Sequence, residues 1–388
     1  MKKFENVLVV SHIAYRKTEP LAPIEGPYSS LSSALIKNIK NVDILGLPLE
    51  GYKNEIIYGK WKKPQKKTLP SFLGNSLPVK FVIDILITTQ FILQWSLKNK
   101  HKKKLVIGVD PLSCLPLLLF RPLLGYTLVF HCVDFNKNRF ENKYLQLLYE
   151  TADKWSSKYS DQTWVICEAL RDYKRKTYGI ESFYVPNSVV FNPTIYSSGH
   201  RERKGDKMIW TGSLLTDRQF DILFGFLSTI QKEIRKDIKY VIVPTKDHEK
   251  FELYSKKYML RNTDILRLNG RLEFQKVAAK CDVGIALYDE KFGSTEFIEP
   301  MKIWDFLLCG LPFIVSKEPS LSKPILNSGV VYRLAPKNNL TDFDSLRLFL
   351  SEDNLASQSR TCLNIAKQFD IDKQVNERLK MLLLAGED

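Results

Sequence analysis

Cysteine is scarce and unpatterned in this chain: six residues among 388, with no CxxC pair and no metal-ligand spacing to histidine. That usage excludes a disulfide framework and a zinc ribbon, and it reads as buried thiols in a reducing cytoplasm. Long apolar runs are also missing. The longest, Phe81 to Trp95, contains Asp84 and Gln90 and falls short of the ~20 residues a spanning helix needs. Leu112 to Leu124 is broken by Pro116, Arg121 and Pro122, so no membrane crossing is expected. No secretory signal is visible, since Met1-Lys-Lys-Phe-Glu-Asn runs straight into the apolar Val7–Val10. Internal repeats, low-complexity tracts, zinc-finger spacing and an RNP aromatic signature are absent as well, which argues against nucleic acid as a partner.

What is present in excess is positive charge. Lysine and arginine total 58 against 43 acidic residues, a formal charge of +15. The surplus gathers in Trp61-Lys-Lys-Pro-Gln-Lys-Lys67 and Lys98-Asn-Lys-His-Lys-Lys-Lys104. Near anionic lipid each such residue contributes on the order of 1 kcal/mol, so Lys62–Lys67 and Lys98–Lys104 are expected to touch the inner face of a membrane from the cytoplasm. The bland reading is a lysine-rich solvated face.

A chain of this length exceeds one ordinary core and fits two domains. Strand and helix patterns alternate throughout, the mark of an α/β protein with parallel sheets. Strands are expected at Val7–Ser11, Val42–Leu45, Leu105–Val109, Thr127–Phe130, Thr163–Ile166 and Phe183–Val185, with helices over Ser29–Ile39, Phe81–Leu97 and Lys143–Tyr159. Residues 46–80 read as an irregular excursion and 191–207 as a linker between a first domain, 1–190, and a second, 208–368. The second series has strands at Met208–Thr211, Tyr240–Val243, Ile265–Leu268, Val283–Ala286, Phe313–Val315 and Val330–Tyr332, then an amphipathic terminal helix within 369–388. Two Rossmann-like domains facing across a cleft follow, with ligands at the carboxyl ends of the strands.

The most informative segment is Glu296-Phe-Ile-Glu-Pro-Met-Lys-Ile-Trp-Asp-Phe-Leu-Leu-Cys-Gly-Leu-Pro-Phe-Ile-Val315. It reads as a loop, a short helix, a stop at Gly310 and Pro312, and a buried strand. Lys302 and Asp305, three apart, share a helix face, and amides at a helix start suit an anionic ligand. Pro300, Lys302, Asp305, Phe306, Cys309, Gly310 and Pro312 resemble the nucleotide-sugar motif of GT-B glycosyltransferases, particularly glycosyltransferase family 4, with Asp305 in place of a glutamate. The resemblance implies that Asp305 grips the donor ribose and that Lys302 helps neutralise the diphosphate. The family's first glutamate falls at Phe297, and its role passes weakly to the neighbouring Glu296.

Other parts of the motif set are altered. Ile209-Trp-Thr-Gly-Ser-Leu-Leu-Thr-Asp-Arg218 is similar to the family's diphosphate loop: Gly212 and Leu214 match, Ser213 replaces an arginine, and Arg218 stands where a lysine would be. Asn269-Gly270-Arg271 is similar to the turn lining the base pocket, with Gly270 as the matching residue and Arg271 equally readable as an ion-pair former. Tyr288 and Phe292 read as core or lid residues that border the sugar at most. In the first domain His131 matches a strand-end histidine near the donor sugar, and Asp134 is a general base if the enzyme inverts. Asp110, Glu25 and Gly26 are acceptor-side candidates, with Tyr28 and His12 as more peripheral ones.

The resemblance implies sugar transfer from a nucleotide diphosphate, UDP or GDP, to a hydroxyl of a glycan or polyprenyl-diphosphate-linked acceptor in cell-surface polysaccharide assembly. It implies retention of anomeric configuration, no resident cofactor and no metal site, because cations and helix dipoles hold the leaving group. A sugar-nucleotide 2-epimerase on the same scaffold, or an inactive membrane-associated scaffold, are the alternatives.

Overall fold

A computed structural model describes residues 4–13, 27–48, 55–69, 77–133, 135–289, 291, 295–316, 319–335 and 342–384. The chain forms two compact units, Met1–Val190 with Ile371–Asp388, and Phe191–Asp370. Glu25, Gly26, Asp134 and Phe292 lie outside the described residues.

The first unit contains β1 (Asn6–Ile13), α1 (Pro27–Asn38), β2 (Asn41–Pro48), β3 (Glu55–Lys60), β4 (Gln65–Thr68), α2 (Leu77–Lys98), β5 (Lys104–Val109), α3 (Pro111–Leu124), β6 (Thr127–Cys132), α4 (Lys143–Tyr159), β7 (Gln162–Val165), α5 (Glu168–Tyr178) and β8 (Phe183–Tyr184). Its sheet has the order β4-β3-β2-β1-β5-β6-β7-β8, parallel from β2 to β8. One sheet face carries Val7, Val9, Val42, Ile44, Ile107 and Trp164 into a core shared with α1 and with Val375 and Leu379 of the terminal helix. The other face packs on α3 so closely that a Cβ at Gly108 would sit 2.8 Å from Cys114.

Three expectations change here. The excursion 46–80 contains an antiparallel hairpin, β3 and β4, which pairs onto β2 and extends the sheet. Its outer strand is all exposed and carries Lys66 and Lys67, the lysine placement that blunts a sheet edge. The run 112–124 is one helix despite Pro116 and Pro122, capped by the Asp110 carboxylate on the Ser113 amide and enclosed by α2 and α4. The apolar helix at 81–97 extends to 22 residues, and Val79–Lys98 is long and apolar enough to cross a bilayer, although a third of that window is buried in the fold.

The second unit contains α6 (Pro193–Gly199), β9 (Lys207–Gly212), α7 (Asp217–Glu233), β10 (Lys239–Pro244), α8 (His248–Lys257), β11 (Thr263–Ile265), α9 (Arg271–Ala278), β12 (Val283–Ala286), a 3-10 turn (Thr295–Phe297), α10 (Met301–Leu308), β13 (Phe313–Val315), α11 (Lys323–Leu326), β14 (Val331–Arg333), α12 (Phe343–Phe349) and α13 (Glu352–Gln368). Its sheet is wholly parallel, ordered β11-β10-β9-β12-β13-β14. Residues 191–207 are built into this unit rather than forming a free linker. Asn192 caps α6, and the buried Arg203 guanidinium donates to the carbonyls of Gly199, Cys281 and Cys309. Burial lowers that guanidinium to about 10. The helix after residue 370, α14 (Ile371–Leu384), returns to the first unit and packs on α1.

Candidate functional site

Both sheets reverse direction of growth at their first strand: β1 lies between β2 and β5, and β9 between β10 and β12. Ligands of doubly wound sheets sit at the carboxyl ends of the strands flanking such a switch point. The side chains at the two switch points differ in chemistry.

In the second unit β9 ends at Gly212, with φ 140°. A Cβ there would meet Lys302 Nζ at 2.9 Å, so glycine is what lets the lysine lie across the turn. Lys302 stands in the first turn of α10, whose N-cap is Pro300 and which no side chain caps. Its ammonium donates to the Thr211 carbonyl and lies over the rings of Trp210 at 5.2 Å and Tyr288 at 5.5 Å. It has no ion-pair partner among the described residues, and burial lowers its pKa to about 8. The Trp210 indole N–H is buried and also without a partner among the described residues. An anion at this turn would meet an uncompensated cation and uncapped helix amides.

The other donor-side residues group around this turn in part. Ser213 is exposed. Arg218, in the first turn of α7, is half-exposed and pairs through Nε with buried Asp289 at 2.8 Å. Gly270, with φ 101°, precedes α9, whose Arg271 Nε and Gln275 Nε2 both donate to Asp305 Oδ1, at 2.8 and 2.7 Å. Asp305 is 5% exposed, so its carboxylate is already held in place, and Arg271 is an ion-pair former. Glu296 is exposed on the 3-10 turn; next to it Phe297, at the family's glutamate position, is buried, and Glu299 is buried against Trp304 Nε1. Two Asp-x-Asp runs are spent on structure: Asp342 caps α12 and Asp344 pairs with Arg347, while Asp370 accepts from the Phe191 amide and Asp372 pairs with Lys37.

In the first unit the switch point holds a network that sequence reading placed only at the margin. His12, near the end of β1, bonds Asp110 Oδ2 through Nδ1 at 2.9 Å and Asp84 Oδ2 through Nε2 at 3.2 Å. Lys80, one turn before Asp84 on α2, donates to the same Asp84 oxygen. Burial alone would lower the imidazole, and the two carboxylates overcome it, raising His12 to about 9. Burial would raise Asp110, but His12, the Ser113 amide and Arg139 hold it low. Asp110 also keeps an unusual backbone, φ 92°. The available signal was Asp84 and Lys80 standing four apart inside an otherwise apolar helix, partners that only the fold connects to His12.

His131, near the end of β6, is 3% exposed, edge-on to Trp164 at 6.0 Å, with neither ring nitrogen bonded among the described residues. Burial lowers it to about 4, so it is a neutral imidazole at neutral pH. Lys104 leaves the expected surface patch: it is buried, donates to the Leu124 carbonyl at 2.6 Å, and burial lowers its pKa.

Two doubly wound parallel-sheet units, with the last helix returned to the first, make up the GT-B fold. Solved structures with this fold match nearly end to end. Sucrose-phosphate synthase from Thermosynechococcus elongatus aligns at TM-score 0.66 and 12% identity, covering 98% of this chain and 100% of its own. HepE from Anabaena in complex with UDP aligns at 0.61 and 12%, covering 99% and 100%. WaaG, a glycosyltransferase involved in lipopolysaccharide biosynthesis, aligns at 0.58 and 13%, covering 97% and 99%. By sequence, no family profile and no curated protein matches the chain.

Proposed function

We propose that the chain is a glycosyltransferase that binds a nucleotide-diphosphate sugar, UDP- or GDP-linked, in its second unit and moves the sugar to a hydroxyl of a glycan or lipid-linked acceptor. The observation that carries this reading is Lys302: a desolvated ammonium with no carboxylate partner among the described residues, laid across a glycine turn at a switch point. A neutral-pH lysine in that setting is stabilised by an anion, and a diphosphate supplies one. The HepE neighbour binds UDP in the same fold. Arg218 and the α10 amides supplement Lys302 on the leaving diphosphate, without a resident metal. Asp305, fixed through Oδ1 by Arg271 and Gln275, offers Oδ2 to a ribose hydroxyl.

Transfer proceeds with retention. Retention needs no strong base, and His12 is unsuited to be one, since both of its nitrogens are engaged and it stays protonated to about pH 9. His12 and Asp110 therefore shape the acceptor side rather than abstract a proton, and His131 supplies a neutral donor or acceptor. The acceptor belongs to cell-surface polysaccharide assembly, a class that includes lipopolysaccharide, the pathway in which the WaaG neighbour takes part. Exposed lysines of 62–67 and 98–102 draw the enzyme to the anionic leaflet where such acceptors sit.

The test is a thermal-shift screen of the full chain against UDP-, GDP-, CMP- and dTDP-sugars. A ligand at ~100 times its Kd adds about 2.7 kcal/mol. A shift with one nucleotide class, followed by slow hydrolysis of that sugar, is the expected result. No shift with any nucleotide, and no hydrolysis, would leave an inactive scaffold as the reading.

A further inference from the structure

Two helices of the first unit are inside out. Along α2 the residues turned into the fold include the polar Lys80, Asp84, Thr88 and Ser96 beside Ile92 and Trp95, all buried. The opposite stripe, at helical spacing, carries Val79, Val82, Leu86 and Leu97, all exposed, with Leu86 at 62%. The same inversion occurs on α4: Asp153, Ser156 and Ser157 are buried, while Tyr144, Leu147, Leu148, Trp155 and Tyr159 are exposed. A solvated surface helix shows the reverse pattern. Between them α3 packs on both and presents Leu119 at 61% and Leu123 at 80% exposure. The three outward stripes are therefore neighbours. An open groove of about 670 Å³ runs between α3 and α4, lined by Leu115, Leu119, Pro122, Trp155 and Tyr159 among others.

The charge around this face is mainly positive, although Glu141 and Asp161, which flank α4, are exposed and Asp161 pairs with Arg121 of the groove. The acidic side chains on the three helices are Asp84, Glu150 and Asp153, and all are buried or half-buried. Lys98, Lys100 and Lys102 stand exposed where α2 ends, and Lys143, Lys154 and Lys158 are exposed on α4. Tyrosine and tryptophan on an apolar face with lysines at its edge match the boundary of a bilayer, where rings settle at headgroup depth and lysines reach lipid phosphates.

We propose that the α2–α3–α4 face is a membrane-docking surface that inserts its apolar side chains into an anionic leaflet, with the acyl chain of a lipid in the α3–α4 groove. The proposal differs from attraction through the lysine patches, which involves no insertion, and it does not depend on the transferase reading.

The experiment is flotation of the full chain with vesicles of phosphatidylcholine and phosphatidylglycerol, comparing wild type with the triple variant Leu86→Glu, Leu119→Glu, Trp155→Glu. All three positions are exposed, so the thermal midpoint is expected to stay within a few degrees of wild type. The expected result is wild-type flotation that persists in part at high salt, and a loss of at least about tenfold in the triple variant. Quenching of tryptophan fluorescence by brominated lipid should accompany binding and fall in Trp155→Phe. Unchanged flotation of the triple variant overturns the proposal, as does salt abolishing wild-type binding with no quenching. A wild-type dimer by light scattering that ignores vesicles, and that the triple variant splits, overturns it in favour of self-association.

Discussion

The two switch points occupy the same place in two sheets of the same winding, yet their charges are arranged in opposite ways. In the first unit His12 and Lys80 face Asp84 and Asp110, two cations against two carboxylates, all linked by hydrogen bonds. In the second Lys302 has two aromatic rings and a carbonyl but no carboxylate among the described residues, and Arg218 is held by Asp289. A closed network supports a neutral, hydroxyl-bearing ligand, whereas an open charge calls for an anion. One winding thus yields a charge-balanced floor and an uncompensated one through the residues at its strand ends.

The largest effect is expected from breaking the closed network. His12→Ala leaves Asp84 with Lys80 alone and removes the imidazole bonded to Asp110; it should destabilise the fold by about 3 kcal/mol, read by denaturant unfolding, with UDP affinity unchanged. Next is Lys302→Met, which should weaken UDP binding by about 2 kcal/mol while leaving stability the same or higher, because the desolvated ammonium is gone. Equal loss of stability and binding in both variants would erase the contrast between the sites. Gly212→Ala probes the turn itself: its Cβ pushes against Lys302 Nζ and is strained at φ 140°, so UDP should bind about fivefold more weakly and unfolding in the absence of UDP should become easier by about 1 kcal/mol. Arg218→Ala should cost least, under about 1 kcal/mol, since that guanidinium is half-exposed and already paired.

The pH responses separate the sites as well. His12 has a folded pKa of about 9, above its unfolded value of about 6.5, so its stabilisation is complete below pH ~6.5 and is lost as pH rises through about 9. Stability of the wild type should therefore fall toward alkaline pH, and His12→Gln should remove that slope in an unfolding titration.

Legibility in the sequence followed sequence distance. The segment from Pro300 to Val315 was readable because its signals are local: a lysine and an aspartate three apart, Gly310 with φ 67°, Pro312, and a three-residue apolar strand. Strands Val283–Ala286 and Phe313–Val315 and helix Lys143–Tyr159 fall where periodicity put them. The His12 network was not readable, because its partners are 72 and 98 residues away and α2 showed only an out-of-place charge pair. The continuity of α3 through two prolines depends on packing by α2 and α4, and the 55–68 hairpin on pairing with β2, both tertiary facts. Asp305 looked like a free ribose ligand; the fold showed it already gripped from α9. Inward and outward apolar stripes also look alike in a sequence, so which side of α2 is exposed was not readable from it.

The central claim is that the Lys302 ammonium receives a nucleotide diphosphate. Calorimetric titration of UDP from about pH 6.5 to 9.5 tests it, since the protonated lysine binds and the deprotonated one does not. The prediction is affinity that falls as pH rises through about 8, with net proton uptake on binding near that pH, both abolished in Lys302→Met. Tight UDP binding that is independent of pH, or unchanged in Lys302→Met, would contradict the account.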